Sequence, residues 1–300
     1  MGLLTGSVSI TRFNIRHRPP EIEFDDARFT EIPPGSELRE SKGFVPFELG
    51  APYEVGASRW AFRVRIDRLR PDPTAVKERL QELIRGELEG GAAFVGSKKR
   101  KELRDLAEEE LIIGTSPSTK IIEGVIDGDL LYVGSTAKAY LGIVMQLLRQ
   151  IGIIVELKTP WGDRGQEDLE SPLIDSQEPG ESVWGCRFLR CLMADRELMI
   201  EPESGYVRLQ TEETRVVVTG AVRKDLRHYL DQNAELLTAK LLTGETSFRF
   251  EGMSFRISSL RVEAGRHEHW TELLDERLEK INDVWELVER KYDEHRSEMV

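Results

Sequence analysis

Residues 59–68 read RWAFRVRIDR. Trp60, Phe62, Val64 and Ile66 alternate with Arg59, Ala61, Arg63, Arg65 and Asp67. Successive side chains of a strand point to opposite faces, so this spacing predicts a half-buried strand with a basic solvent face. Pro71-Asp72-Pro73 follows, and then Val76, Leu80, Leu83 and Ile84 recur at helical intervals. A proline at the first turn and one apolar stripe predict a helix over 74–89.

Upstream, residues 7–18 (SVSITRFNIRHR) read as a strand carrying Arg12, Arg16 and Arg18. Its apolar phase changes between Ile10 and Phe13, which predicts a bulge. Residues 32–36 and 43–47 are punctuated by Pro and Gly but apolar, and read as ordered loop packed on the core. Downstream, a second helix is expected over 97–112 (SKKRKELRDLAEEELI), with Ser97 as its N-cap. A hairpin follows, with strands 120–126 and 129–133 about an Asp127-Gly128 turn. A helix capped by Ser135 or Thr136 runs to 150, and a short apolar strand covers 153–157.

The order then continues with a short helix at 183–198 and strands at 206–209 and 215–219. A helix is expected at 223–230, strands at 234–242, 246–250 and 254–262, and a long amphipathic helix over 268–295. Leu273, Leu274, Leu278, Ile281, Trp285 and Val288 form the stripe of that last helix. This succession predicts an α+β fold of mixed or antiparallel sheets with helices on one side. Two subdomains are expected, 1–160 and 183–300. Residues 161–182 carry seven acids and one base, and read as an exposed acidic linker or loop.

The composition is that of a folded chain, with 39% apolar and 32% charged residues among 300. No apolar run reaches the length of a membrane-spanning helix, and 1–10 lacks a charged leader, so a cytoplasmic protein without membrane contact is expected. Two cysteines, Cys186 and Cys191, fit a reducing compartment and read as small semi-buried thiols. No cofactor and no metal is expected. Net charge is −12, unevenly spread. Residues 1–160 hold 23 Lys+Arg against 24 Asp+Glu, and 161–300 hold 19 against 30. The first half is close to neutral, with its bases clustered.

The strongest cluster opens the helix at 97–112. Lys98, Lys99, Arg100, Lys101 and Arg104 precede Glu108, Glu109 and Glu110. A helix dipole favours acids first and bases last, so this polarity points to an anion site rather than to helix stability. Together with Arg59, Arg63 and Arg65 on one strand and Arg12 and Arg16 on another, these bases make a candidate phosphate-binding stripe. Phosphate contacts add salt-dependent affinity without reading sequence. No helix-turn-helix, zinc finger or RNA-binding aromatic signature accompanies them.

An enzymatic alternative rests on Glu156-Leu157-Lys158 with Asp127 or Asp129, two carboxylates and a lysine in the style of a metal-dependent nuclease. His267 and His269 form an H-x-H without a partner motif, and read as surface. Gly134-Ser135-Thr136-Ala137-Lys138 lacks the order of a phosphate loop. A protein-interaction module, with the acidic second half as partner surface, is the third reading.

The order of motifs resembles the RdgC family of bacterial recombination-associated proteins. The resemblance is carried by Phe29…Pro34-Gly35-Ser36…Ser41-Lys42-Gly43-Phe44-Val45-Pro46, by the strand 60–66 running into Pro73, Val76 and Leu80, and by the basic helix from Lys98 to Arg104 with its acidic end. Val125-Ile126-Asp127-Gly128 and the helix with Leu147-Leu148-Arg149 complete it. The resemblance implies a ring-shaped homodimer that encircles double-stranded DNA without sequence preference. It implies action on a RecA-type recombinase in recombination and replication, a nucleoid location and no catalysis. It also implies that Lys98, Lys99, Arg100, Lys101 and Arg104 approach the DNA. Where family members carry an aromatic after the basic helix, this chain has Gly114-Thr115-Ser116-Pro117.

Overall fold

The structure is a computed structural model that describes residues 2–33, 35–36, 38–56, 59–174 and 177–299, with backbone only at 223–225. Pro34, within the stretch that carries the resemblance, lies outside the described residues. The chain runs β1 (Ser7–His17), a 3-10 turn (Phe24–Ala27), β2 (Glu40–Val45), β3 (Arg59–Arg68), α1 (Pro73–Glu89) and α2 (Ser97–Ile112). Next come β4 (Ser118–Asp127), β5 (Leu130–Val133), α3 (Lys138–Gln150), β6 (Ile154–Leu157), α4 (Pro160–Asp163) and α5 (Trp184–Cys191). It ends with β7 (Met199–Ile200), β8 (Gly205–Gln210), β9 (Arg215–Gly220), α6 (Arg223–Asp231), β10 (Glu235–Thr243), β11 (Thr246–Glu251), β12 (Arg256–Arg261) and α7 (Trp270–His295). This is the expected α+β class with antiparallel sheet and a long C-terminal helix.

Two compact units emerge, one of residues 1–26, 46–62 and 122–300, the other of 27–45 and 63–121. They are cut differently from the expected 1–160 and 183–300. The reason lies in β1. Its first residues pair with β12, Val8 opposite Leu260 and Ile10 opposite Ile257. Its later residues pair with β5 and β6, Phe13 standing opposite both Leu131 and Leu157. One strand thus joins what looked like two halves. Among the described residues, no register shift falls between Ile10 and Phe13, where the phase change predicts one. The shifts lie at Val8/Ile10, with the extra residue on β12, and at Ile15/His17. Ile10, Thr11, Arg12 and Phe13 are buried in succession because both faces of β1 are covered there.

In the first unit the strand order is β4-β5-β1-β12-β11-β10-β8-β9, with β6 also on β1 and β7 on β10. α7 lays Leu274, Leu278, Ile281, Trp285, Val288 and Tyr292 into the core of this unit. There it meets an aromatic group, Phe255 5.8 Å from Trp285 and Phe188 5.5 Å from Tyr292 between ring centroids. The stripe read from sequence therefore covers the helix's own unit. Two glycines set the approach of α5. A Cβ on Gly185 would lie 1.9 Å from the Gly252 carbonyl oxygen, so only glycine lets the helix backbone sit on that turn. Buried Arg277 of α7 donates to the carbonyls of Leu3 (2.6 Å), Val262 (2.7 Å) and Gly6 (2.9 Å), which ties the chain start to the last helix.

Most described residues of 161–182 are exposed, as expected of a loop, but the stretch is anchored to the core at several points. Trp161 is buried and donates to the Gly180 carbonyl at 3.0 Å, Ser171 bonds Glu235, and Ser182 N–H bonds the Met253 carbonyl. Acidic composition concealed a few buried anchors, since charge runs report the solvated side of a segment and not its contacts. The helix expected at 183–198 stops at Cys191.

The second unit holds β2, paired with the later half of β3 from Lys42 opposite Ile66 to Val45 opposite Arg63. β2 stands where the sequence suggests loop, because Glu40-Ser41-Lys42-Gly43 lacks β-branched residues and Pro46 ends it. Phe62, Val64 and Ile66 are buried as predicted, but Asp67, assigned to the solvent face, is only 1% exposed. Its carboxylate accepts from Arg65 Nη2 at 2.7 Å and from Thr119 Oγ1 at 2.7 Å.

Candidate nucleic-acid interface

α2 forms because its residues, Lys, Arg, Glu, Leu and Ala, are nearly all strong helix formers. It packs antiparallel on α1 through Leu103 and Ala107, with Val76 of α1 also buried. The ion pairs fix this direction. Arg79, early in α1, reaches Glu110, late in α2, at 2.7 Å, and Lys99, early in α2, reaches Glu87 at 3.0 Å. α1 starts with Asp72 as N-cap, accepting from Thr74 N–H at 2.7 Å and Ala75 N–H at 3.0 Å. These two bonds hold the Asp72 carboxyl below its ordinary pKa.

The start of α2 has no such cap. Gly96 occupies the N-cap position without a side-chain bond, and Ser97 is already the first helical residue, not the cap its type suggested. Free N–H groups and the positive end of the helix dipole therefore meet Lys98, Arg100 and Lys101. All three are exposed, and among the described residues none has an acidic partner. Arg104 is exposed and pairs with Glu108 at 3.1 Å. At 3.6 residues per turn, Lys98, Arg100, Lys101 and Arg104 fall within roughly 160° of the helix circumference. Lys99 points the other way, toward α1 and Glu87.

The other predicted bases are committed elsewhere. Arg12 is a correction: expected on an exposed strand, it is 5% exposed, pairs with Glu289 of α7 and lies 3.9 Å over the Trp285 ring. It keeps the two-residue spacing of Val8 and Ile10, which puts it on the same inward face of β1. Burial lowers its pKa while Glu289 raises it, and the net direction is down. Arg16 pairs with Glu156 at 2.6 Å on the surface. Arg59 bridges Asp127 (2.8 Å) and Asp275. Arg65 holds Asp67 through both Nε and Nη2, and lies 4.4 Å from the Phe29 ring centre. Arg63 is half-buried. Arg12, Arg16 and Arg59 belong to the first unit, whereas Arg63, Arg65 and the α2 bases belong to the second. The glutamate and aspartate partners were not legible, because Glu289 and Asp275 lie more than 200 residues from the bases they hold.

The nuclease constellation is likewise drawn into ion pairs. Asp127 takes Arg59, Glu156 takes Arg16, and Lys158 takes Asp163 at 2.6 Å. Among the described residues, Asp127, Asp129 and Glu156 do not converge as a ligand group. His267 bonds Glu276 at 2.5 Å, and His269 occupies the N-cap position of α7.

No protein-family model and no curated protein matches this sequence.

Charge separates the two units sharply. The second holds 16 Lys+Arg against 14 Asp+Glu, and the first 26 against 40. The basic turns of α2 sit in the unit that is slightly positive. No helix among the described residues is long and apolar enough to cross a membrane.

Proposed function

We propose that this protein binds double-stranded DNA without sequence preference and without changing it chemically, with the first two turns of α2 as its phosphate contact. The observation that carries the reading is the uncapped start of α2, where Lys98, Arg100 and Lys101 stand exposed without an acidic partner among the described residues. Bases at this end oppose the helix dipole at about 0.3–1 kcal/mol each, a cost that a bound polyanion reverses. The acidic remainder of the chain does not forbid contact, because exposed charges beyond about 8 Å are screened at physiological salt. The resemblance to RdgC-type proteins supports the same reading and extends it to a homodimer acting on a RecA-type recombinase at the nucleoid.

A second reading, a protein-interaction module, is favoured by exposed apolar side chains around the same helix. Phe94 is 79% and Ile113 82% exposed, and Leu106 lies seven residues before Ile113. Incubating the purified chain with two duplexes of unrelated sequence and Mg²⁺ separates the readings. Equal retardation of both duplexes, recovered intact, is expected. Absence of binding at low salt favours the interaction module, and cut DNA favours the nuclease.

A further inference from the structure

Three ligand-bearing side chains converge where α5 ends and α7 gives way to the closing turn Arg296–Glu298. Cys191 Sγ, an imidazole nitrogen of His295 and a carboxylate oxygen of Glu298 lie within 4.8 Å of one another. His295 Nδ1 stands 3.1 Å from Glu298 Oε2. The other ring nitrogen, Nε2, is 3.0 Å from Oδ2 of Asp195, whose side chain is 6% exposed. Asp195 is itself fixed, accepting from the N–H groups of Glu197 and Leu198 at 2.8 Å each and from Lys291 at 3.1 Å. A cavity of about 460 Å³ borders Cys191 and Glu298.

We propose that Cys191, His295 and Glu298 bind a borderline-soft divalent cation, Zn²⁺ above all, with Asp195 as the positioning residue for His295. The donor mix decides the metal. Thiolate, imidazole and carboxylate together suit Zn²⁺, whereas Mg²⁺ and Ca²⁺ take all-oxygen sets. Tetrahedral zinc separates such ligand atoms by about 3.4–3.6 Å. The His295–Glu298 pair is already close to that spacing, and Cys191 has at most about 1.2 Å to close. A ligating histidine normally gives its second nitrogen to a carboxylate, which sets tautomer and ring orientation. Asp195 is in that position. Water fills the fourth site. Binding takes up Cys191 as its thiolate and a ring nitrogen of His295 as a free lone pair, so it releases protons, and it clamps the end of α5 to the C-terminal turn. Cys186, the other thiol, is 1% exposed in a separate part of the core and takes no part.

The test is a titration of the chelator-stripped full chain with Co²⁺, which reports thiolate ligation by a near-ultraviolet charge-transfer band. One equivalent is expected to produce the band, and Zn²⁺ to displace it. Cys191→Ser and His295→Gln are expected to abolish it with the far-ultraviolet circular dichroism unchanged, and Cys186→Ala to keep it. Asp195→Asn is expected to keep the band but to weaken affinity about 10–100-fold. A wild-type protein that shows no thiolate band, or a band that survives in Cys191→Ser, overturns the proposal.

Discussion

The guanidinium of Arg12 lies over the indole of Trp285, 3.9 Å from the ring centre. A base of the first strand is thus stacked on the last helix, with Glu289 one turn further along supplying the counter-charge. Arg12 therefore fastens the first unit together. Arg12→Ala is expected to cost about 2–4 kcal/mol in urea unfolding, less than a fully buried pair because Glu289 is partly exposed. The DNA affinity of the folded protein should not change.

Lys98 and Lys101 behave in the opposite way. Replacing both by Glu puts acids where the α2 dipole prefers them, so stability should hold or rise by about 0.3–1 kcal/mol per site. Thermal unfolding of Lys98→Glu/Lys101→Glu checks this. A midpoint several degrees lower would show that the bases serve the fold.

Asp67 gives a pH signature. Burial raises its carboxyl pKa, but hydrogen bonds from Arg65 and Thr119 outweigh it, and the folded value lies below the ordinary one. A depressed carboxyl contributes stability above its unfolded pKa of about 3.9, and loses it as pH falls through the folded value. Asp67→Asn should therefore be less stable than wild type at pH 7. The gap should narrow only below about pH 4, as unfolding curves across pH would show.

Gly185 admits no side chain. Its Cβ would sit 1.9 Å from the Gly252 carbonyl oxygen, backbone against backbone. Gly185→Ala is expected to destabilise by about 2–3 kcal/mol or more, because α5 must lift off the turn. An unfolding midpoint equal to wild type would contradict this packing.

Much of the fold was legible where one period ran uninterrupted. The alternation at 59–68, the stripes of α1 and α7 and the Asp-Gly turn before β5 placed their elements closely. The misses have physical causes. β2 has little β propensity and is held by its pairing with β3. Trp161, Ser171 and Ser182 are buried anchors inside an acidic run. Arg12 reads as a surface base because its burial comes from α7, whose Trp285 and Glu289 cover this face of β1 from more than 270 positions away. The basic run of α2 was legible as local chemistry, whereas which bases lack partners depended on distant acids such as Asp275 and Glu289. The Cys191, His295 and Glu298 group was invisible for the same reason, since Cys191 and His295 are 104 positions apart and only the packing of α5 beside α7 unites them.

The salt dependence of duplex binding, compared between wild type and Lys98→Glu/Lys101→Glu, tests the central claim most directly. Each phosphate contact contributes about −0.9 to the slope of log K against log salt. Wild type should bind intact duplex with a steep slope, and the variant should bind far more weakly with a slope shallower by about 1.8. Identical slopes and affinities in the two proteins would contradict a phosphate contact at the start of α2.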